Sequence, residues 1–233
     1  MKKHAFLAIL APALMAAAPV ENSAILSRAS SDASAFDRAA AQSRSGDAAG
    51  DEALAWYYET GTVVRRDAVR AVTLYRRAAL AGLPRAQWRL GVMLDEGRGV
   101  DGAQPDEAFE WFAAAANQGH GPAWASLGVM FATGRGAAQD FEQALKCYLK
   151  AASLGEAHGF YGIGVQFAMG EGVKPDLGEA TSWMLVAEAL GDDQASAALE
   201  QLAGQGLDDA MVRVRAEAIA DEFGIELPGN NSI

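Results

Sequence analysis

Ala86, Leu90 and Leu94 recur at every fourth position, as do Ala123, Leu127 and Phe131. Each set predicts one buried stripe of a helix with a 3.6-residue period. Gly97, Gly134 and Gly170 follow these stripes, where a helix ends on a left-handed residue that glycine adopts without a Cβ penalty. A second kind of apolar set comes next: Ala108, Trp111, Phe112 and Ala115, then Ala144, Tyr148 and Ala151. Its starts are marked by Asp140 before Gln143 and Asp176 before Glu179, the spacing of a capping box, and by Pro105 with Glu107 close behind. Gly119, Gly155 and Gly191 close these second helices. The pattern therefore predicts helical hairpins, with no alternation that would make a strand.

The hairpins repeat. Leu54, Leu90, Leu127, Ile163 and Leu199 are spaced 36, 37, 36 and 36 residues apart, and Gly46, Gly82, Gly119, Gly155 and Gly191 share those steps. The extra residue falls between Gly99 and Ala108. A period of this length predicts an all-α solenoid of two-helix units. The Gly-x-Gly runs at 97–99, 134–136 and 170–172 come after a helix end, whereas a phosphate loop follows a strand and opens a helix, so they are expected to be turns.

Trp124-x-x-Leu127-Gly128-x-x-Phe131 resembles the opening of a tetratricopeptide repeat, and the longer unit is similar to the Sel-one-like branch of that superfamily. That unit combines Leu-Gly, Gly-x-Gly, Ala-x-x-Trp/Tyr and Ala-Ala-x-x-Gly. The resemblance implies a right-handed α/α solenoid. Four repeats are expected at 50–85, 86–122, 123–158 and 159–193, preceded by a segment with a capping helix at 25–49. Capping helices at 194–224 and a tail at 225–233 complete the chain. The first repeat departs from the pattern at Ala55 and Val63, as terminal repeats do when they cap the stack.

Composition then narrows the picture. Lys2 and Lys3 precede an uncharged run from Ala5 to Val20, the form of a secretory signal peptide, expected at 1–24 with cleavage between 16 and 24. The expected location is therefore periplasmic or secreted. The run is too short for a spanning helix, and its prolines argue the same way. A formal charge of −11 disfavours general nucleic-acid binding. Cys147 is the only cysteine, so no disulfide closes within the chain.

No hydrolase, metal-protease or phosphate-loop motif is present, and the paired cysteines of the cysteine-rich relatives are missing. No catalytic residue, metal site or cofactor is expected. His120 and His158 are expected at the surface; Cys147, Trp111 and Trp183 are expected in the core, where the register equates them with Leu74.

Residue 88 lies about 200° around a helix from residue 90, so Trp88 and its equivalents face away from the core stripe. The resemblance makes this the concave surface: Glu52, Trp56 and Glu59, then Trp88, Val92 and Asp95, then Val129, and finally Tyr161 and Val165. Trp88 is the expected central anchor. The resemblance implies a protein-interaction adaptor of the cell envelope, holding a peptide or protein such as the outer domain of a membrane sensor. A carbohydrate-binding solenoid and an envelope hydrolase of the β-lactamase type stay open as alternatives. Seven arginines between Arg65 and Arg89 stand against one acid, Asp67; a solvated face paired with acidic neighbours is the expectation, and an anionic partner the alternative.

Overall fold

The computed structural model describes residues 33–228, so the expected signal segment lies outside the described residues. The described residues form eleven α-helices and no strand: α1 (Ala33–Arg44), α2 (Ala48–Thr60), α3 (Ala68–Leu80), α4 (Pro84–Asp95), α5 (Pro105–Ala116), α6 (Gly121–Thr133), α7 (Phe141–Ala152), α8 (Ala157–Met169), α9 (Leu177–Ala189), α10 (Asp193–Leu202) and α11 (Asp209–Glu222). None is long and apolar enough to cross a membrane. This is an all-α repeat fold.

The helix starts follow the capping chemistry. Asp140 accepts from the Gln143 backbone N–H at 3.0 Å and Asp176 from that of Glu179 at 3.1 Å. Asp67 does the same for Arg70 at 3.0 Å. Pro84 and Pro105 open α4 and α5, where their missing N–H would have had no helical partner anyway. Both glycines of each Gly-x-Gly turn sit at positive φ, from 67° to 76°. The second glycine also makes room: a Cβ on Gly172 would meet that of Phe141 at 2.8 Å, and one on Gly99 would strike the Ala68 carbonyl. The turn of one hairpin thus lies against the first residue of the preceding second helix.

The chain divides into two compact units: residues 33–123 with 135–137, and residues 124–134 with 138–228. In the first unit each helix from α1 to α5 packs on the next. Leu90 and Leu94 are buried in it, as are Tyr75 and Phe112 from the second helices. In the second unit α8 packs on α7 and α9, and α9 carries α10 and α11. Its core joins Tyr148, Phe160, Ile163, Met184 and Ile219.

The glycine after each stripe leucine has a packing reason. A Cβ on Gly91 would meet the Phe112 ring at 2.6 Å, and one on Gly128 would enter the Tyr148 ring. Gly164 faces Met184 at 2.8 Å. The missing side chain lets the second helix of the same hairpin press a large core residue onto the first.

Candidate functional site

The face opposite the core stripe is more enclosed than the sequence implied. Trp88 is 4% exposed and Tyr161 is fully buried, while Trp56, Glu59, Asp95 and Val129 are buried as well. Glu52, Val92 and Val165 are half-buried. The expectation of Trp88 as an open aromatic anchor is therefore corrected. Its face is covered from within the unit: the His120 ring sits 5.4 Å from it and the Arg89 guanidinium 4.9 Å from its centre. Trp111, expected in the core, is the half-exposed one, its indole N–H donating to Glu107 at 3.1 Å. Phe112, one residue on, takes the core place instead. Cys147 is buried, which pushes its thiol up to about 11.

In the first unit this face is wired by charge. Glu59 on α2 accepts from the Tyr75 hydroxyl at 2.8 Å and from Arg98 at 3.1 Å, with Arg89 at 3.6 Å. Asp95 on α4 pairs with Arg135 at 2.7 Å. The two pairs share one register: the acid is five residues beyond the stripe leucine, and its arginine eight residues beyond the leucine of the following hairpin. Burial pushes the Asp95 carboxyl up, against the pull of the Arg135 charge.

Glu52 pairs with Arg85 at 3.0 Å. Most of the basic stretch is spent the same way, with Arg76 on Glu107 and Arg77 on Asp51 at 3.1 Å. His120 stands at the start of α6 beside this group and is half-buried rather than on the surface. Burial, then the nearby charges of Arg85 and Arg89, hold its ring down to about 4, so it is neutral at pH 7. Its Nδ1 and the Arg89 Nε are enclosed without a hydrogen-bond partner among the described residues.

The second unit solves the same positions differently. His158 takes the place of Arg85, and Asp192 that of His120. His158 Nδ1 lies 2.9 Å from Asp192 Oδ2, and Glu156 is 3.9 Å away. Burial pushes the His158 ring down, but the Asp192 bond and both carboxylate charges outweigh it, so its net shift is upward. His158 is thus also not a surface histidine. Asp192 caps α10 as well, accepting from Gln194 at 2.9 Å and Ala195 at 3.0 Å. The Tyr161 hydroxyl is enclosed without a hydrogen-bond partner among the described residues, and burial raises its ionisation well above the ordinary phenol range. Ala132 and Ala168 stand where the first unit has acids, and Glu171 where it has arginines. Burial raises the Glu171 carboxyl.

Sequence reasoning singled out Glu59 and Asp95, and Arg85 as one of the arginines of 65–89, but missed Arg98, Arg135, Tyr75 and Asp192. The shared register of acid and arginine was the available signal. No group of three His, Cys, Asp or Glu side chains among the described residues is placed to hold a metal.

The Sel1 repeat family pattern matches residues 49–83, 84–120, 125–156 and 159–192, more than half of the chain. A Sel1 repeat protein from Oxalobacter formigenes is similar in structure, with a TM-score of 0.63 and 26% identity over 80% of this chain and 84% of that one. The protective antigen c5321 of uropathogenic Escherichia coli, which displays an SLR fold, is 32% identical with a TM-score of 0.63. This chain's 80% covers only 40% of that protein. The immunity protein Pa5087 of Pseudomonas aeruginosa shares the fold at 20% identity and a TM-score of 0.54, over 85% of this chain and 79% of that one. A search of curated proteins gives no match.

Proposed function

The chain belongs to the Sel1 repeat family, and from that premise we propose that it is an exported, non-catalytic interaction module. It holds a peptide or protein partner in the cell envelope on the first-helix faces of its hairpins. The outer domain of a membrane sensor is one partner of that kind. The observation that carries the reading is the state of the face opposite the core. Val92 in the first unit and Val165 in the second are half-buried on that face, and in the first unit the Arg89 Nε and His120 Nδ1 have no hydrogen-bond partner among the described residues. Apolar contact with a few fixed polar groups is the composition of a protein-binding surface. Enclosure of Trp56 and Trp88 disfavours the carbohydrate alternative, because a sugar-stacking platform needs an open ring face. Export rests on the Lys2–Lys3 start and the apolar run to Val20.

Photo-crosslinking tests the reading. A crosslinker placed at Val92 or Val165 of the full chain should capture a protein from an envelope extract. The same group at Leu80, 73% exposed on α3, should not. Equal capture at all three positions, or none at Val92 and Val165, overturns it. For export, intact mass of the protein from the envelope fraction should show loss of 16 to 24 residues, and a retained Met1 ends that part.

A further inference from the structure

The end helices of a repeat stack each keep one face that no further hairpin covers, and solubility asks for polar residues there. α1 meets that demand. It exposes Asp37, Arg38, Gln42 and Arg44 and, among the described residues, no large apolar side chain. α11 does not. Met211 is 71% exposed and Val214 66%. Ala210 and Ala218 are exposed as well, and the helical turn brings all four within about 100° of arc. Leu80, equally exposed on α3, has Arg76 and Arg77 one turn before it and belongs to no such stripe.

The opposite face fixes α11 in place. Val212, Ala216, Ile219 and Ala220 are buried, and the helix packs on α9. Ser182 of α9 donates to the Val212 carbonyl at 3.0 Å, and Arg215 bonds Glu179 of the same helix at 2.7 Å. Charge is sorted by sign along α11: Arg213 and Arg215 lie in its first half, Glu217, Asp221 and Glu222 in its second. Arg215 is taken up by Glu179, and Arg213 shares Glu217 at 3.3 Å in an exposed pair. These charges therefore orient a partner more than they bind it. A second α11 laid antiparallel sets the basic half against the acidic half, whereas a parallel one sets like against like. Two arginines among four acids suit an anionic membrane surface poorly. The polar face of α1 is an equally poor mate for head-to-tail stacking.

We propose that this face of α11 is a self-association surface whose occupant is a second copy of the chain, α11 packing on α11 in antiparallel about a two-fold axis. Met211 and Val214 supply the apolar contact, and Ala210 and Ala218 let the two backbones approach. One helix face falls short of the roughly 800 Å² per partner of a standard interface, so the dimer is weak and forms as concentration rises.

Sedimentation velocity of the full chain, from low micromolar to near millimolar concentration, should show a monomer passing into a dimer. Met211→Ser combined with Val214→Ser should weaken that dimer about tenfold or more without changing net charge. Both side chains are exposed, so circular dichroism and the melting point of the monomer should stay as they were. Leu80→Ser, at an equally exposed position on α3, should leave the dimer intact. Orientation is read by mixing Val214→Cys and Ala218→Cys copies under mild oxidation. The disulfide between the two variants should form in preference to either self-linked product, and buried Cys147 should stay out of it. A monomer at every concentration, an undiminished dimer in the serine variant, or an equal loss in Leu80→Ser overturns the surface. A preference for self-linked products overturns the antiparallel arrangement. Three further results would give the face to another occupant and remove the second copy. These are a monomer that floats with phosphatidylglycerol vesicles, a different protein captured by a photo-crosslinker at Val214, and dimerisation only after residues 229–233 are removed.

Discussion

In the first unit Glu59 and Asp95 each hand a carboxylate to an arginine of the next hairpin, Arg98 and Arg135. In the second unit the same register holds Ala132, Ala168 and Glu171, and no such pair forms there. Both units have the same leucine stripe, the same glycine opposite a large residue and the same aspartate caps, so the difference does not come from the fold. Buried ion pairs rarely add net stability over apolar packing, because desolvation consumes the attraction. Their consequence is geometric: each pair admits one relation between successive hairpins. The teaching is that this repeat separates two jobs, with packing carrying stability and the face opposite the core carrying charge, which is paired at this register in one unit and not in the other.

Removing Glu59 should be the harshest single test of that separation. It would strand the Tyr75 hydroxyl and two arginines in a buried site, and breaking a buried pair from one side costs about 3–5 kcal/mol. Glu59→Ala should lower the denaturation midpoint strongly and expose α2 to α5 to hydrogen exchange before α8 to α11. Ala168→Glu, the mirror change in the second unit, should cost far less, because the half-buried turn lets the new carboxylate reach water. Equal losses would show that the ion network of the first unit carries no special weight.

A smaller loss separates the two glycine sites. A Cβ at Gly91 meets the stiff Phe112 ring at 2.6 Å, whereas at Gly164 it meets the flexible Met184 side chain at 2.8 Å, with the Ala180 carbonyl at 3.0 Å. Overpacking of this kind costs about 1–3 kcal/mol. Gly91→Ala should fall at the upper end and Gly164→Ala at the lower, as thermal unfolding of the two proteins would register. The reverse order would mean that the first unit repacks more easily than its aromatic core implies.

These glycines were legible in the sequence as markers, since each recurs with the leucine stripe and the turns. The hairpins, the caps at Asp140 and Asp176 and the turn role of Gly-x-Gly all follow from periods within one hairpin. The candidate site did not read as well. Residue 88 does point away from residue 90, but in a stack both flanks of a first helix meet neighbours, so Trp88 is enclosed by His120 and Arg89. Trp111 and Phe112 are adjacent, and composition gives no reason to prefer the smaller ring for the core. The arginines of 65–89 are expected to pair with acids, but the sequence does not say which, because those acids are remote: Arg76 reaches Glu107 and Arg77 reaches Asp51. Only a comparison of whole repeats brings such partners together.

Acid should push the units in opposite directions. The His158 ring ionises above the ordinary value of 6.5 when folded, because Asp192 and Glu156 outweigh burial. Its contribution is therefore fully present below 6.5 and is lost as pH rises through the raised folded value. The His120 ring is held down to about 4 by burial and by Arg85 and Arg89. A chain that takes up this proton more readily unfolded than folded loses stability as pH falls from 6.5 toward 4. Hydrogen exchange at pH 7.5 and pH 5.5 should show α8 to α10 gaining protection relative to α3 to α5. His158→Asn should abolish the gain and His120→Asn the loss. A parallel change in both units would break the contrast.

The smallest effect comes from moving the first unit's device into the second. Ala132→Asp with Glu171→Arg writes the acid and arginine of the Asp95–Arg135 register into the hairpins of α6 and α8, where neither partner now stands. Glu171 is half-buried, so the new pair forms partly in water, where such bonds contribute about 0.2–1 kcal/mol. Each single change should be neutral or slightly unfavourable. Ala132→Asp adds an acid beside an existing one, and Glu171→Arg adds a cation with no carboxylate to receive it. The double change should be more stable than the sum of the singles, and the excess should shrink in high salt. A double-mutant cycle from denaturant curves reads that excess directly. A coupling of zero would mean that the turn of α8 does not approach the end of α6 as the turn at Arg135 approaches α4. The register that relates the two units would then hold for their packing but not for their charged face.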